Sequence, residues 1–141
     1  MSIVNNQIEF KELALKIFTR NKKKRIFCLY GGLGAGKTTF TQAIAKALKI
    51  EGTVTSPTFN IIKQYKIQSS KIDYKNLYHI DCYRLEDEKE ILNLGFRELV
   101  EDKASLLIIE WADKINKILP KKRIDVYIKI LDNFKREIIV K

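Results

Sequence analysis

Proline and glycine are scarce, 2 and 6 residues in a chain of 141, which excludes collagen-like and low-complexity classes. With only 2 cysteines the chain cannot build the disulfide framework on which small secreted folds depend. Cys28 lies in the apolar run Ile26-Phe27-Cys28-Leu29-Tyr30, where a reduced, buried thiol is the simpler expectation. Neither cysteine has metal-ligand company, and His79 is the single histidine, so zinc is not expected. Long hydrophobic runs are missing as well. The strictly apolar stretch at residues 106–109 falls far short of the roughly 20 residues that cross a bilayer. Asn5, Asn6 and Gln7 make the opening segment polar, against a secretory leader. Together these absences lead to the expectation of a cytoplasmic protein with no membrane association.

What is present is enough to bury a core. Hydrophobic residues make up 45% and charged residues 31% of the chain, and the length suits one domain spanning residues 1–141. The formal charge of +10 favours an anionic partner such as RNA, a nucleotide or an acidic protein surface. A general habit of using Lys and Ile accounts for the surplus equally well.

Periodicity orders the elements. Asn6 followed by Glu9 resembles a capping box, and Phe10, Leu13, Ala14, Ile17 and Phe18 recur at helical spacing, predicting a helix that ends near Thr19. Arg20 and residues 22–25 then form a basic connector before a strand at 26–30. A glycine-rich turn leads to a helix over 38–48. Strands are expected at 53–55, 59–67 and 77–80, with a turn over 68–73, and a helix at 86–94 capped by Gly95. Residues 105–109 read as a strand covered on both faces, and 124–130 with 137–140 as a closing antiparallel hairpin turning at Asp132-Asn133. The fold expected is α/β: a P-loop NTPase-like three-layer unit with a mixed, mostly parallel sheet.

The strongest chemical signal is Gly31-Gly32-Leu33-Gly34-Ala35-Gly36-Lys37-Thr38, which satisfies the P-loop pattern between a strand and a helix. Glycines let the backbone curl so that N–H groups face anionic phosphates at a helix start. Lys37 would reach the terminal phosphates, the Thr38 hydroxyl would ligate magnesium, and Thr39 follows with another hydroxyl. In an open α/β sheet the ligand sits beyond the carboxyl ends of the strands, so acids that terminate strands are the ones to consider. Glu110 closes the strand Ser105-Leu106-Leu107-Ile108-Ile109, and Asp81 closes Leu77-Tyr78-His79-Ile80. Either acid is suited to orienting a water or holding the metal. Thr55-Ser56-Pro57-Thr58 offers three hydroxyls, either as a loop sensing the γ-phosphate or as an ordinary polar turn. Arg84 is a candidate cis cation or a salt-bridge partner, and His79, inside an apolar strand, reads as structural.

Taken together, residues 31–40, the TSPTF loop at 55–59, the stretch His79-Ile80-Asp81-Cys82-Tyr83-Arg84-Leu85 and Ile109-Glu110-Trp111 closely resemble the TsaE (YjeE) family over nearly the whole chain. The resemblance implies an ATPase that serves a partner complex forming threonylcarbamoyladenosine beside the anticodon of tRNAs, with subunits of the TsaB and TsaD type as partners. Carried onto this sequence, Gly32, Leu33, Gly34, Ala35, Gly36, Lys37, Thr38 and Thr39 would bind ATP, with Trp111 beside the nucleotide. Thr38, Glu110 and Asp81 would hold Mg2+, and Lys37, Asp81 and Glu110 would form the catalytic set. A further nucleotide contact would fall near Asn6 or Gln7. The sequence departs from the family at Cys82, at Gly32 and in its basicity, the last bearing on how partners are contacted. Direct contact with tRNA stays open.

Two rivals share the P-loop. A small kinase would need an acceptor pocket and usually a lid, for which no insertion is long enough. An ATP-gated scaffold would bind partners, with tRNA contacted through residues 22–25 and 121–123 and hydrolysis incidental. A GTPase is weaker, because Asn116-Lys117-Ile118-Leu119 lacks the acid expected for guanine recognition.

Overall fold

The computed structural model describes residues 1–57 and 60–141. Their strands form one seven-stranded sheet in the order β1-β7-β6-β2-β5-β4-β3. The four inner strands β6 (Ile124–Ile130), β2 (Ile26–Tyr30), β5 (Ser105–Glu110) and β4 (Asn76–Asp81) run parallel. The outer strands β1 (Ser2–Val4), β7 (Arg136–Val140) and β3 (Ile62–Lys66) are added antiparallel.

Helices cover both faces, giving the three layers expected. On one face α1 (Gln7–Arg20) and α2 (Lys37–Ala47) lay Phe10, Ala14, Phe18, Phe40 and Ile44 on Phe27, Leu29, Leu106 and Ile108. On the other, α3 (Glu88–Asn93), α4 (Phe96–Glu101) and a 3₁₀ helix (Ala112–Ile118) lay Ile91, Phe96 and Ile115 on Cys28, Ile80, Leu107 and Ile109. Every residue of β5 is buried as a result, which is why that strand reads as unbroken hydrophobicity. Fully burying one such Phe or Leu contributes about 1.5–3 kcal/mol.

Local signals explain the starts and stops. The Asn6 carboxamide oxygen accepts the Glu9 N–H at 2.9 Å, and the Glu9 carboxylate reaches back to the Asn5 N–H at 2.8 Å, so the capping box closes one residue earlier than its usual form. Gly95 takes a left-handed φ of 89° and serves two helices, following the last turn of α3 and preceding α4. The sequence reading needs correction in three places. Residues 53–55 are not a strand, because no strand among the described residues pairs with them. The strand expected over 59–67 is confined to Ile62–Lys66, with Phe59 outside the described residues. β1, α4 and the 3₁₀ helix are additional, each too short to show a periodicity of its own.

Sheet register positions the chemistry. Asp81 pairs with Glu110 across β4 and β5, and Glu110 pairs with Leu29 across β5 and β2. The two acids therefore stand on adjacent strands, level with the start of the glycine loop.

Candidate functional site

β2 delivers the chain to Gly31, whose φ of 154° and close approach to Ile128 leave no room for a side chain: an added Cβ would lie 2.5 Å from the Ile128 carbonyl oxygen. Gly36 caps α2 with φ 113°, and a Cβ there would press on the Phe10 ring at 3.1 Å. Only glycine meets both demands without strain. The loop thus curls onto the head of α2, where unpaired N–H groups and the helix dipole favour an anion.

Lys37 begins α2 and is buried. Its ammonium donates to the carbonyls of Gly31 at 2.6 Å and Gly32 at 2.9 Å, and lies 3.9 Å from the centre of the Trp111 ring. Burial pushes its pKa below the ordinary lysine value, opposed by the charges of Glu110, Asp81 and Asp113. Trp111 reaches this position because it turns the chain with φ 55° directly after β5, a conformation that costs a bulky residue of order 1–3 kcal/mol. Tyr83 packs against its ring with centroids 4.9 Å apart.

Glu110 is 2% exposed. One carboxylate oxygen accepts the Thr38 hydroxyl at 3.1 Å, and the other lies 2.7 Å from Nε2 of His79, which is fully buried, and 3.5 Å from the Thr41 hydroxyl. An ionised carboxylate can only accept, so the contact is a hydrogen bond in the tautomer that carries the proton on Nε2. Its Nδ1 has no partner among the described residues. Asp81 is only half-buried. It accepts the Ser56 hydroxyl and, at 3.0 Å, the Tyr83 N–H.

These groups line a cleft of about 480 Å³ with Leu33 to Thr39 on one side and Ser56, Pro57, Asn60, Asp81, Arg84, Glu110 and Trp111 on the other. Among the described residues no three His, Cys, Asp or Glu side chains form a metal cluster. The oxygen donors at the helix head are instead one hydroxyl and one carboxylate, Thr38 and Glu110, with Asp81 on the next strand. That set suits a hard, octahedral cation that completes its shell with phosphate oxygens and water. It suits magnesium with a triphosphate and does not suit zinc.

The structure brings together Leu33, Gly34, Ala35, Gly36, Lys37, Thr38, Thr39, Asp81, Glu110 and Trp111 around this cleft. Gly32 joins it through its carbonyl on Lys37. Of the TSPTF loop, Ser56 and Pro57 line the cleft, while Thr58 and Phe59 lie outside the described residues. His79, read as structural from sequence, touches Glu110 directly. Asn6 and Gln7, near which the resemblance implies a further nucleotide contact, line a second cavity of about 320 Å³ beside the glycine loop, together with Phe10 and with Asn133, Phe134 and Arg136, three hairpin residues that sequence reasoning missed. The β6–β7 turn carries Phe134, 75% exposed, to this place. Arg136 fastens the turn by donating to the Ala35 carbonyl at 3.1 Å and the Gly34 carbonyl at 3.3 Å.

The family model for TsaE, described as threonylcarbamoyl adenosine biosynthesis protein TsaE, matches residues 4–138. Among curated proteins named tRNA threonylcarbamoyladenosine biosynthesis protein TsaE, that of Rickettsia typhi is 41% identical over 138 residues, covering 96% of this chain and 90% of the relative. The Bacillus subtilis protein of that name is 40% identical over 133 residues, covering 94% and 79%. The crystal structure of Bacillus subtilis YdiB superposes with a TM-score of 0.71 at 34% identity, covering 97% of this chain and 80% of that one.

Proposed function

The chain belongs to the TsaE family, and from that premise we propose that it binds and hydrolyses ATP with magnesium in support of the assembly that forms threonylcarbamoyladenosine in tRNA. The observation that carries the reading is the meeting of Thr38 and Glu110 at 3.1 Å at the head of α2, with Asp81 in register one strand away.

In this reading the triphosphate lies in the larger cleft with its phosphates against the loop N–H groups. Lys37 exchanges its two carbonyl partners for phosphate oxygens, which an ammonium with three donors does readily. The metal, held by Thr38 and Glu110, would offset phosphoryl charge. Asp81, half-exposed and held by Ser56 and the Tyr83 N–H, is placed to orient a water; beside so much positive charge it acts by positioning more than as a strong base. Arg84 lines the same cleft. The base extends past the glycine loop into the second cavity, where the Phe134 ring offers a stacking face and Asn6 and Gln7 offer amides to its edge. Adenosine recognition rests on that cavity.

The reaction serves protein partners of the TsaB and TsaD type, and turnover of the isolated chain is slow until they engage it. The experiment is phosphate release with and without those purified subunits, together with analysis of the products. Free phosphate accelerated by the subunits supports the ATPase reading. A phosphorylated acceptor would make the protein a kinase, and no release even with partners would make it a nucleotide-gated scaffold.

A further inference from the structure

Each of the four parallel strands is entered through basic residues, and the fold collects those entrances at the end of the sheet opposite the nucleotide. Lys22 and Lys23 precede β2, Lys75 precedes β4, Lys103 precedes β5, and Lys121 and Lys122 precede β6. Contacts tie them together. Arg25 donates to the carbonyls of Val100, Asp102 and Ser105 at 2.6, 2.8 and 3.0 Å, the Tyr74 hydroxyl donates to the Lys22 carbonyl at 2.7 Å, and Phe27 pairs with Ile124. Segments far apart in sequence thus present their ammonium groups on one pole, roughly 17 Å from the glycine loop by the rise of a five-residue strand.

All six lysines are exposed, and none is ion-paired to a described residue. Of the neighbouring acids, Asp125 holds Arg123 at 2.8 Å and Asp102 accepts the Ala104 N–H at 3.0 Å, while Asp73 and Glu101 are exposed and outnumbered by the surrounding cations. A compositional habit would spread lysine evenly. Here the densest run of acids, Glu86, Asp87, Glu88 and Glu90 at the start of α3, lies outside these segments.

The chemistry of the pole narrows the partner. None of the large hydrophobic side chains exposed among the described residues lies in segments 20–25, 66–75, 102–104 or 120–123. A protein interface needs apolar anchors at its centre, and a membrane-surface element needs an apolar face to insert. Clustered cations without either match a polyphosphate chain, which they bind by displacing its counterions.

We propose that this pole binds the phosphodiester backbone of RNA at a surface separate from the nucleotide cleft. The surface follows from the structure; the choice of RNA among polyanions rests on the tRNA-modification reading above.

The test is fluorescence anisotropy of the full chain with a labelled, unmodified tRNA transcript across a salt series. Lys22→Glu/Lys121→Glu is compared with Lys11→Glu/Lys89→Glu, a control pair exposed on α1 and α3 with the same change in net charge. The pole variant is expected to weaken binding more than about tenfold and to flatten the salt slope by about 1.5, while the control shifts affinity less than about threefold. Lys22→Gln/Lys121→Gln should give an intermediate loss, and ATP-analogue binding, measured separately, should be unchanged in all three. Absence of binding at low salt, about 50 mM, or equal losses in pole and control variants, would overturn the proposal. So would binding to polyglutamate or to anionic vesicles as tight as to tRNA, which would assign the pole to an acidic protein or a lipid surface. Because nucleotide binding is read independently, loss of the RNA site leaves the ATPase reading standing, and the reverse.

Discussion

Two carboxylates end neighbouring strands at the same level of the sheet, yet they are held in opposite ways. Glu110 is sealed between Thr38, Thr41 and His79, whereas Asp81 meets the Ser56 hydroxyl and one backbone N–H and keeps contact with solvent. A buried carboxylate held on one oxygen by the Thr38 hydroxyl and on the other by His79 is fixed in orientation and keeps lone pairs that could take a cation. A half-exposed one on a loop partner can adjust to a water molecule. The pair teaches that strand-end position alone does not give a role; the packing of the flanking strand and helix does.

Replacement of Glu110 is the most severe way to break the comparison. Glu110→Ala should reduce phosphate release by about a thousandfold or more, since it removes a charge-stabilising group from the centre of the reaction. It should also lower the thermal midpoint, because the Thr38 hydroxyl and the His79 Nε2–H lose a shared acceptor, a cost of about 1–3 kcal/mol. Rate assays and a melting curve with titrated Mg2+ read both effects. A variant that kept its magnesium dependence would remove Glu110 from the metal.

Asp81→Ala should separate the acids. The expected loss is about a hundredfold in turnover, with ATP-analogue affinity and melting temperature close to those of the parent, because water replaces the lost carboxylate at a half-exposed site. Equilibrium binding with a slowly hydrolysed analogue makes the check. An Asp81 variant that bound nucleotide poorly would move this acid to the metal and away from the water.

His79→Gln sharpens the comparison from the Glu110 side. The amide keeps a donor but shortens the reach of the ring, so Glu110 loses its fixed orientation. The magnesium concentration for half-maximal analogue binding should rise about tenfold, the value of a hydrogen bond to a charged group, with little change in ATP affinity at saturating metal. A change in stability without any change in metal dependence would return His79 to a purely structural role.

What the sequence made legible followed from spacing. The P-loop is a contiguous motif whose glycines, lysine and threonine are dictated by local backbone geometry, and Asp81 and Glu110 stand out as acids that end apolar runs. The contact between His79 and Glu110 depends on the β4–β5 register and on which face each side chain takes, and no local pattern encodes that. Phe134 and Arg136 enter the site only when the hairpin folds over the glycine loop, a relation across about a hundred residues of chain. β1 escaped notice because its three residues are stabilised by pairing with β7, not by any pattern of their own. The basic clusters were visible as isolated connectors; their convergence on one pole was a matter of topology.

The smallest effect tests the Asp81 side of the comparison alone. Ser56 donates its hydroxyl to Asp81 from the loop that precedes β3, and the Tyr83 N–H holds the other carboxylate oxygen at 3.0 Å. Ser56→Ala removes the first partner and leaves the second, so Asp81 gains freedom to rotate but stays on its strand. Turnover should fall less than about tenfold, the value of one hydrogen bond of roughly 1 kcal/mol, with KM for ATP unaltered. If the two acids act as one unit on the metal, the loss should instead appear as a raised magnesium requirement, shared with His79→Gln. Steady-state rates at several Mg2+ concentrations distinguish a water-orienting Asp81, whose loosening changes kcat alone, from an acid that helps hold the cation.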